Sequence, residues 1–493
     1  MLQVVEVGNK ISKADFLADL PDLRVNLINA QYDLRQADFP VIIWIAGDDR
    51  IGANQVVNRI NEWMDARYID THVFGPPDGE ETEHPPLWRL WRSMPPKGRT
   101  ALLAGGLMRM VSMRLDGEID DEQFDRWVRH IAAMQNEWVA DGALVLKFFL
   151  HTPEKKQRKK LRRAAKDPLH GWWVDQRDWE VLDLMSPAVP LVEHFMRETS
   201  GPGAPWTVVE ATDARYRDMT VARTIQAALH ARLDQTQNQG PAVAASIFGE
   251  LESGATVLSR VDLSKKLERE TYRRELDRYQ GKLHRLAHEA RQRGVGTVLA
   301  FEGSDAGGKG GVIRRITGAL EAGDYRVIPT AAPTEEERRY HYLWRFWRDL
   351  PPVGRTVIYD RTWYGRVLVE RVEGFAEPAE WQRAYDEIND FEEQLVERGY
   401  YVAKFWLHIS PEEQLARFKA REDTPYKQHK ITDEDWRNRE KWDDYVRAVD
   451  QMVQRTTSEH AKWHVVPAND KYFARIAVLK AVTDGLKRAI RGA

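Results

Sequence analysis

The sequence predicts an α/β protein made of two tandem copies of one domain, each a mostly parallel sheet flanked by helices. Three observations predict it. Residues 87–100 (LWRLWRSMPPKGRT) and 343–356 (LWRFWRDLPPVGRT) agree at ten of fourteen positions, at a constant offset of 256. The same offset sets Gly47 under Gly303 and Gly52 under Gly308. With one residue of slippage, 147–151 (KFFLH) matches 404–408 (KFWLH), and 208–213 (VVEATD) lies under 465–470 (VVPAND). Finally, short apolar runs alternate with long helical stretches, the pattern of βαβ units around a parallel sheet. A chain of 493 residues suits two such domains.

Taken in order, strands are expected in the first copy at 41–46, 100–104, 143–150 and 206–210. Their partners in the second copy are 297–301, 356–359, 401–407 and 463–467. Each run is short, apolar and bounded by Gly, Pro or charge, which favours strand over helix. A charged helix is expected over 264–293, stopped by Gly294. These elements divide the chain into a first copy at 1–235, a linker at 236–260 and a second copy at 261–493. The linker rests on the Gln, Asn, Gly and Pro clustered at 236–241. The segment 242–261 suggests no element. The tryptophan pairs Trp88/Trp91 and Trp344/Trp347 occur in both copies, so they read as core.

Between the strand at 297–301 and a helical run from Val312 lies Gly303-Ser304-Asp305-Ala306-Gly307-Gly308-Lys309-Gly310. Strand, glycine-rich loop and helix form the context in which G-x-x-x-x-G-K binds phosphate. Glycines let backbone N–H groups converge on an anion, and the helix start adds partial positive charge. Lys309 then reaches a terminal phosphate as a point charge. Two departures stand out. Gly310 follows the lysine where a magnesium-binding hydroxyl is usual, and Asp305 sits inside the loop. A carboxylate beside phosphates must handle a metal or a proton.

Other candidates follow along the second copy. The run Val357-Ile358-Tyr359-Asp360 is a strand ending in a carboxylate suited to a metal, although such an Asp is often only a helix cap. Arg361 follows at the carboxyl end of that strand, where α/β ligands bind. Arg366 and Arg371 are further phosphate candidates, but Arg366 and Glu370 are also spaced for a helix salt bridge. The basic stretch 417–430 breaks at Pro425 and resumes as a helix near Asp433. It reads either as a lid over transferring phosphates, carrying Arg417, Arg421, Lys427 and Lys430, or as a solvated face.

The first copy lacks this chemistry. Ala53 stands where Lys309 stands, and Leu103-Ala104-Gly105 stands under Tyr359-Asp360-Arg361. It reads as a degenerate domain with structural or substrate-guiding duties. Its residues 155–166 carry eight basic side chains in twelve, ordinarily a solvated helix face, alternatively a track for a long polyanion.

Bulk composition excludes several classes. The formal net charge of −3 makes no global case for nucleic acid or a membrane. No apolar run approaches the roughly 18 residues of a spanning helix. The absence of cysteine removes disulfides, thiol catalysis and zinc thiolates, and fits a reducing cytoplasm. No signal peptide is evident at the start, so a cytoplasmic location is expected.

The loop 303–310 together with Asp360-Arg361-Thr362-Trp363-Tyr364-Gly365-Arg366 resembles the polyphosphate kinase 2 family. The resemblance covers nearly the whole chain and is closest to the two-domain class with an inactive first copy, which acts on AMP. It implies two tandem P-loop kinase-like domains with a helical lid, and exchange of phosphoryl groups between inorganic polyphosphate and nucleotides with Mg2+. It accounts for the internal Asp305 and the missing hydroxyl. Carried over by position, Lys309 binds the transferring phosphate, Asp305 and Asp360 manage the metal, and Arg361 offsets transition-state charge. Gly303, Ser304, Ala306, Gly307, Gly308 and Gly310 form the cradle. The partners implied are polyphosphate and AMP or ADP, with no nucleic acid and no membrane; a homo-oligomer is left open. Rival readings are a polyphosphate:ADP enzyme, an ATP-dependent nucleoside monophosphate kinase and a non-enzymatic polyphosphate-binding regulator.

Overall fold

The computed structural model describes residues 2–166, 174, 176–238, 256–422 and 433–492. The chain forms two compact units. The first comprises Met1–Asp78, Arg89–Ala242 and Glu335–His341; the second comprises Gly79–Trp88, Val243–Thr334 and Tyr342–Ala493. Each unit thus takes in a short segment from the other half of the sequence, and Gly79 and Glu335 are equivalent at the offset of 256. Inside the second unit, the Trp88 indole N–H donates to the Trp347 carbonyl at 2.8 Å, and His84 Nε2 bonds the Leu350 carbonyl at 3.0 Å. Inside the first, Lys97 N donates to the Arg339 carbonyl at 2.9 Å.

The first unit holds strands β1 (Val41–Gly47), β2 (Ile69–Phe74), β3 (Thr100–Gly105), β4 (Leu144–His151) and β5 (Trp206–Glu210). They lie parallel in the order β2-β3-β1-β4-β5. The second unit repeats this with β6 (Gly296–Gly303), β7 (Tyr325–Pro329), β8 (Thr356–Asp360), β9 (Tyr400–His408) and β10 (Trp463–Pro467). Their order is β10-β9-β6-β8-β7, the same topology. Helices on both faces cover each sheet, so the central strands are buried from end to end and read as continuous apolar runs. In the second unit Leu299, Phe301, Ile358 and Leu407 pack with Ile313 and Ile316 of one helix and Val478 and Leu479 of another. All eight strands expected from the sequence form. The two it did not reveal, β2 and β7, are edge strands with half-exposed, partly polar faces, so they carry no apolar run.

In each unit strand order reverses beside the central strand, at β1 and at β6, because β6 is flanked by β8 and β9. Ligands of open α/β sheets bind outside the carboxyl ends of the strands at such a point. Among the described residues no helix is long and apolar enough to cross a membrane.

A buried lysine distinguishes the two cores. Lys404 on β9 ion-pairs with Glu392 at 2.7 Å. Its counterpart Lys147 on β4 meets Gln135 at 2.7 Å and the Thr199 carbonyl, with no carboxylate partner among the described residues. Burial pushes the Lys147 ammonium down to about 7 from 10.5. Between those values the unfolded chain carries a proton the folded unit lacks, so stability of the first unit rises as pH rises from about 7 toward 10.5. The slope reaches at most about 1.4 kcal/mol per pH unit. Gln135→Glu restores the counter-charge and flattens this dependence. Hydrogen-exchange protection of the β4 amides, corrected for intrinsic rates, reads both effects.

Candidate active site

The glycine-rich loop leaves the carboxyl end of β6 and turns into the helix Lys309–Thr317. Two of its glycines are there for space. A Cβ on Gly303 would lie 2.7 Å from the Leu407 carbonyl oxygen, and one on Gly307 would lie 2.8 Å from that of Ser304. Gly308 caps the helix with φ +103°, a left-handed conformation that glycine adopts without cost. Among the described residues only two non-glycine residues have positive φ, Ala306 at 61° and Arg361 at 64°. Both belong to this site. Backbone held in a disfavoured region clusters where a ligand must be gripped. The amides of Lys309 and Gly310, which open the helix where intrahelical acceptors are lacking, adjoin the same cradle.

The structure gathers Lys309, Asp305 and Arg361 at the loop, and Asp360 ends the neighbouring strand. Lys309 Nζ bends back to donate to the Gly303 carbonyl at 2.9 Å, which holds the ammonium over the loop. The Asp305 carboxylate accepts from Arg361 at 3.3 Å, joining the loop to the end of β8. Asp360 closes β8 in register with Phe301 of β6. Among the described residues no side chain hydrogen-bonds its carboxylate. Hard oxygen donors from Asp305 and Asp360 at the carboxyl edge fit a divalent cation better than a soft metal.

Three residues at the site escaped the sequence reading. Glu302, buried beneath the loop, accepts from the Thr362 amide at 2.7 Å and its hydroxyl at 2.8 Å, which fixes the turn that carries Arg361. Burial raises its pKa, and the nearby Lys309 and Arg361 oppose that shift. Its signal was a carboxylate ending an otherwise apolar strand. Gln414 donates to the Asp305 carbonyl at 3.3 Å, and Asn438 donates to its carboxylate at 2.9 Å. Asn438 lies on the helix Asp433–Glu440, and no local pattern ties it to a loop 133 residues away.

The remaining candidates are placed differently. Arg417 is buried on the helix Pro411–Glu422. It donates to the carbonyls of Ala306 at 2.9 Å, Ala468 at 2.7 Å and Asn469 at 2.9 Å, and pairs with Glu413 at 2.6 Å. It braces the loop from behind. Arg421 is half-buried on the last turn of that helix. Lys427 and Lys430 lie outside the described residues. Arg366 ion-pairs with Glu370 at 3.2 Å and Glu380 at 3.7 Å and stacks on Tyr342, so the helix-pair alternative is the arrangement found. Arg371 bonds Tyr385 and Gln451 and stacks on Trp381. Neither arginine is brought to the loop. His408, at the end of β9 beside it, is held neutral because burial pushes its pKa down to about 4.

At the equivalent place the first unit has a different local structure. Its helix Arg50–Trp63 starts three positions earlier than Lys309–Thr317 does, so the loop shrinks to Asp48 and Asp49. The Asp49 carboxylate caps that helix through the Gly52 amide at 2.9 Å and is neutralised by Lys160. A fixed carboxylate therefore occupies the anion position at the helix start. Asp48 is buried against His151 at 2.6 Å, and burial raises its pKa. Glu210, at the end of β5, holds the amides of Gly8 and Asn9, so the N-terminal segment lies over the carboxyl edge.

Comparison with known proteins places the whole chain among relatives. The family model Polyphosphate kinase 2 (PPK2) matches twice, at residues 10–237 and 266–491. A Pseudomonas aeruginosa protein named polyphosphate:AMP phosphotransferase is 44% identical over 100% of this chain and 99% of its own length. One of that name from Acinetobacter johnsonii is 34% identical, covering 94% of this chain and 96% of its own. A crystal structure described as a polyphosphate kinase 2 from Pseudomonas aeruginosa superposes with a TM-score of 0.90 at 43% identity, over the full length of both chains. The chain belongs to the polyphosphate kinase 2 family and carries two copies of the family domain.

Proposed function

We propose that the second unit transfers the terminal phosphoryl group of inorganic polyphosphate to AMP, giving ADP and a chain one phosphate shorter. The observation that carries this reading is the joining of Lys309, Asp305 and Arg361 around one strained loop, with Asp360 at the end of the adjacent strand. AMP as acceptor is supported by the names of relatives that match over the full length.

Transfer between phosphates requires positioning and charge compensation more than covalent chemistry. On releasing the Gly303 carbonyl, Lys309 places its ammonium on the transferring phosphoryl group. Loop amides and the helix start take the neighbouring phosphate oxygens. Arg361, held by Asp305 and by a backbone anchored on Glu302, faces the charge that develops between donor and acceptor. Asp305 and Asp360 would hold Mg2+, which supplies further charge neutralisation when bound. Gln414 and Asn438 fix Asp305, and Arg417 stiffens the loop from behind. The first unit, with Asp49 in the anion position and Ala53 in place of the lysine, is the inactive copy.

The test is a donor–acceptor matrix with purified protein and Mg2+. AMP or ADP is offered with either polyphosphate or ATP. ADP formed from AMP and polyphosphate without ATP is the expected result. ATP formed only from ADP would keep the family and change the acceptor. Turnover with ATP alone as donor would overturn the polyphosphate assignment.

A further inference from the structure

The basic run of the first unit separates in the structure into ion-paired cations and an unpaired stripe. It forms the helix Glu154–Ala164, continued by a turn to Lys166. Gln157 and Leu161 are buried beneath it. Three of its cations are neutralised: Lys156 by Glu210 at 3.8 Å, Arg158 by Glu154 at 3.2 Å and Asp183 at 3.1 Å, and Lys160 by Asp49. The others are Lys155, Lys159, Arg162, Arg163 and Lys166. All five are exposed, and none has an ion-pair partner among the described residues. Their spacing, i, i+4, i+7, i+8 and i+11, is that of a single helix face.

Such a stripe is unfavourable for the isolated fold, because like charges one turn apart repel. Among the described residues no ion pair relieves it, and only the field of Glu154 beside Lys155 opposes it, whereas three other cations on the same helix are each paired with a carboxylate. The stripe spans about 16 Å along the axis, at about 1.5 Å per residue over eleven residues. It offers a line of cations without a pocket. The helix itself carries no aromatic side chain on which a base could stack, which disfavours single-stranded nucleic acid.

We propose that this face is an accessory binding site for long-chain inorganic polyphosphate, separate from the catalytic loop and located on the copy that has lost its own. A linear polyanion of regularly spaced phosphates offsets the repulsion along the whole stripe and releases its counterions on binding. The inference rests on the polyphosphate reading above, and deepens it by giving the first unit a substrate-holding role.

The test uses the full chain and the variant K155Q/K159Q/R162Q/R163Q/K166Q, in which glutamine preserves helix propensity. Binding of labelled long-chain polyphosphate is measured across a salt series, and KM is measured for long-chain polyphosphate and for tripolyphosphate. The variant is expected to bind the long chain roughly tenfold more weakly, as five exposed charge contacts would give, with a shallower salt dependence. KM for the long chain should rise, while kcat and KM for tripolyphosphate stay unchanged. Unchanged affinity and salt slope would overturn the proposal, leaving a solvated face. Single-stranded DNA held through these residues in preference to polyphosphate would overturn it equally. If the wild-type chain turned over no polyphosphate at all, the catalytic reading would fall, while the binding series would still decide the stripe. Should the fivefold variant not fold, K155Q/K159Q reads the same quantities at smaller size.

Discussion

Lys309→Ala is expected to lower kcat for phosphoryl transfer by two to three orders of magnitude, the scale of roughly 3–4 kcal/mol for one lost electrostatic group aimed at a transition state. The physical case is specific. Lys309 is the first residue of its helix, and its ammonium now rests on the Gly303 carbonyl at 2.9 Å. When phosphate enters, the ammonium exchanges a neutral oxygen for a charged one, an interaction that strengthens as charge develops. Two other arginines are committed elsewhere: Arg417 to three backbone carbonyls and Glu413, and Arg366 to Glu370 and Glu380. Alanine at a helix start is well tolerated, so thermal stability should be nearly unchanged. Steady-state kinetics beside a thermal melt separate the two effects. Full activity in a folded Lys309→Ala protein would mean that the chemistry lies elsewhere.

Asp360→Asn is expected to cost at least as much, and to differ in kind. Asparagine keeps the volume at the end of β8 and removes only the charge. Because no side chain among the described residues bonds this carboxylate, the fold should be unaffected. If Asp360 holds the cation, the variant should need a much higher Mg2+ concentration for half-maximal rate, in addition to losing roughly 3 kcal/mol of transition-state stabilisation. A titration of rate against Mg2+ distinguishes this from a simple positioning defect, which would lower the plateau and leave the midpoint in place. An unchanged midpoint would remove Asp360 from the metal site.

Much of this site was legible before any fold was described. The duplication, the glycine-rich loop, the strand-end Asp360 with Arg361, and the loss of the lysine from the first copy are all local patterns. They are local because a tight turn needs glycine at fixed positions, and because a buried parallel strand must be apolar throughout. Comparing the copies also separated chemistry from scaffold: the tryptophans occur in both and are buried in both, as in Trp91 and Trp347.

Other features were settled only by tertiary structure. Long side chains choose partners by distance in space, so Arg366 turned to Glu370 and Glu380, and Arg417 to carbonyls 51 and 111 residues away. Glu302 anchors Thr362 across two neighbouring strands, and Asn438 returns to Asp305 from a later helix. In the first unit the sequence by itself showed that the lysine was missing. Only the fold shows a helix begun three residues early, with a carboxylate seated where an anion would bind. The sequence alone thus determined which backbone could form and which charges were present. Packing decided which charges meet, because that depends on the separation of elements far apart along the chain.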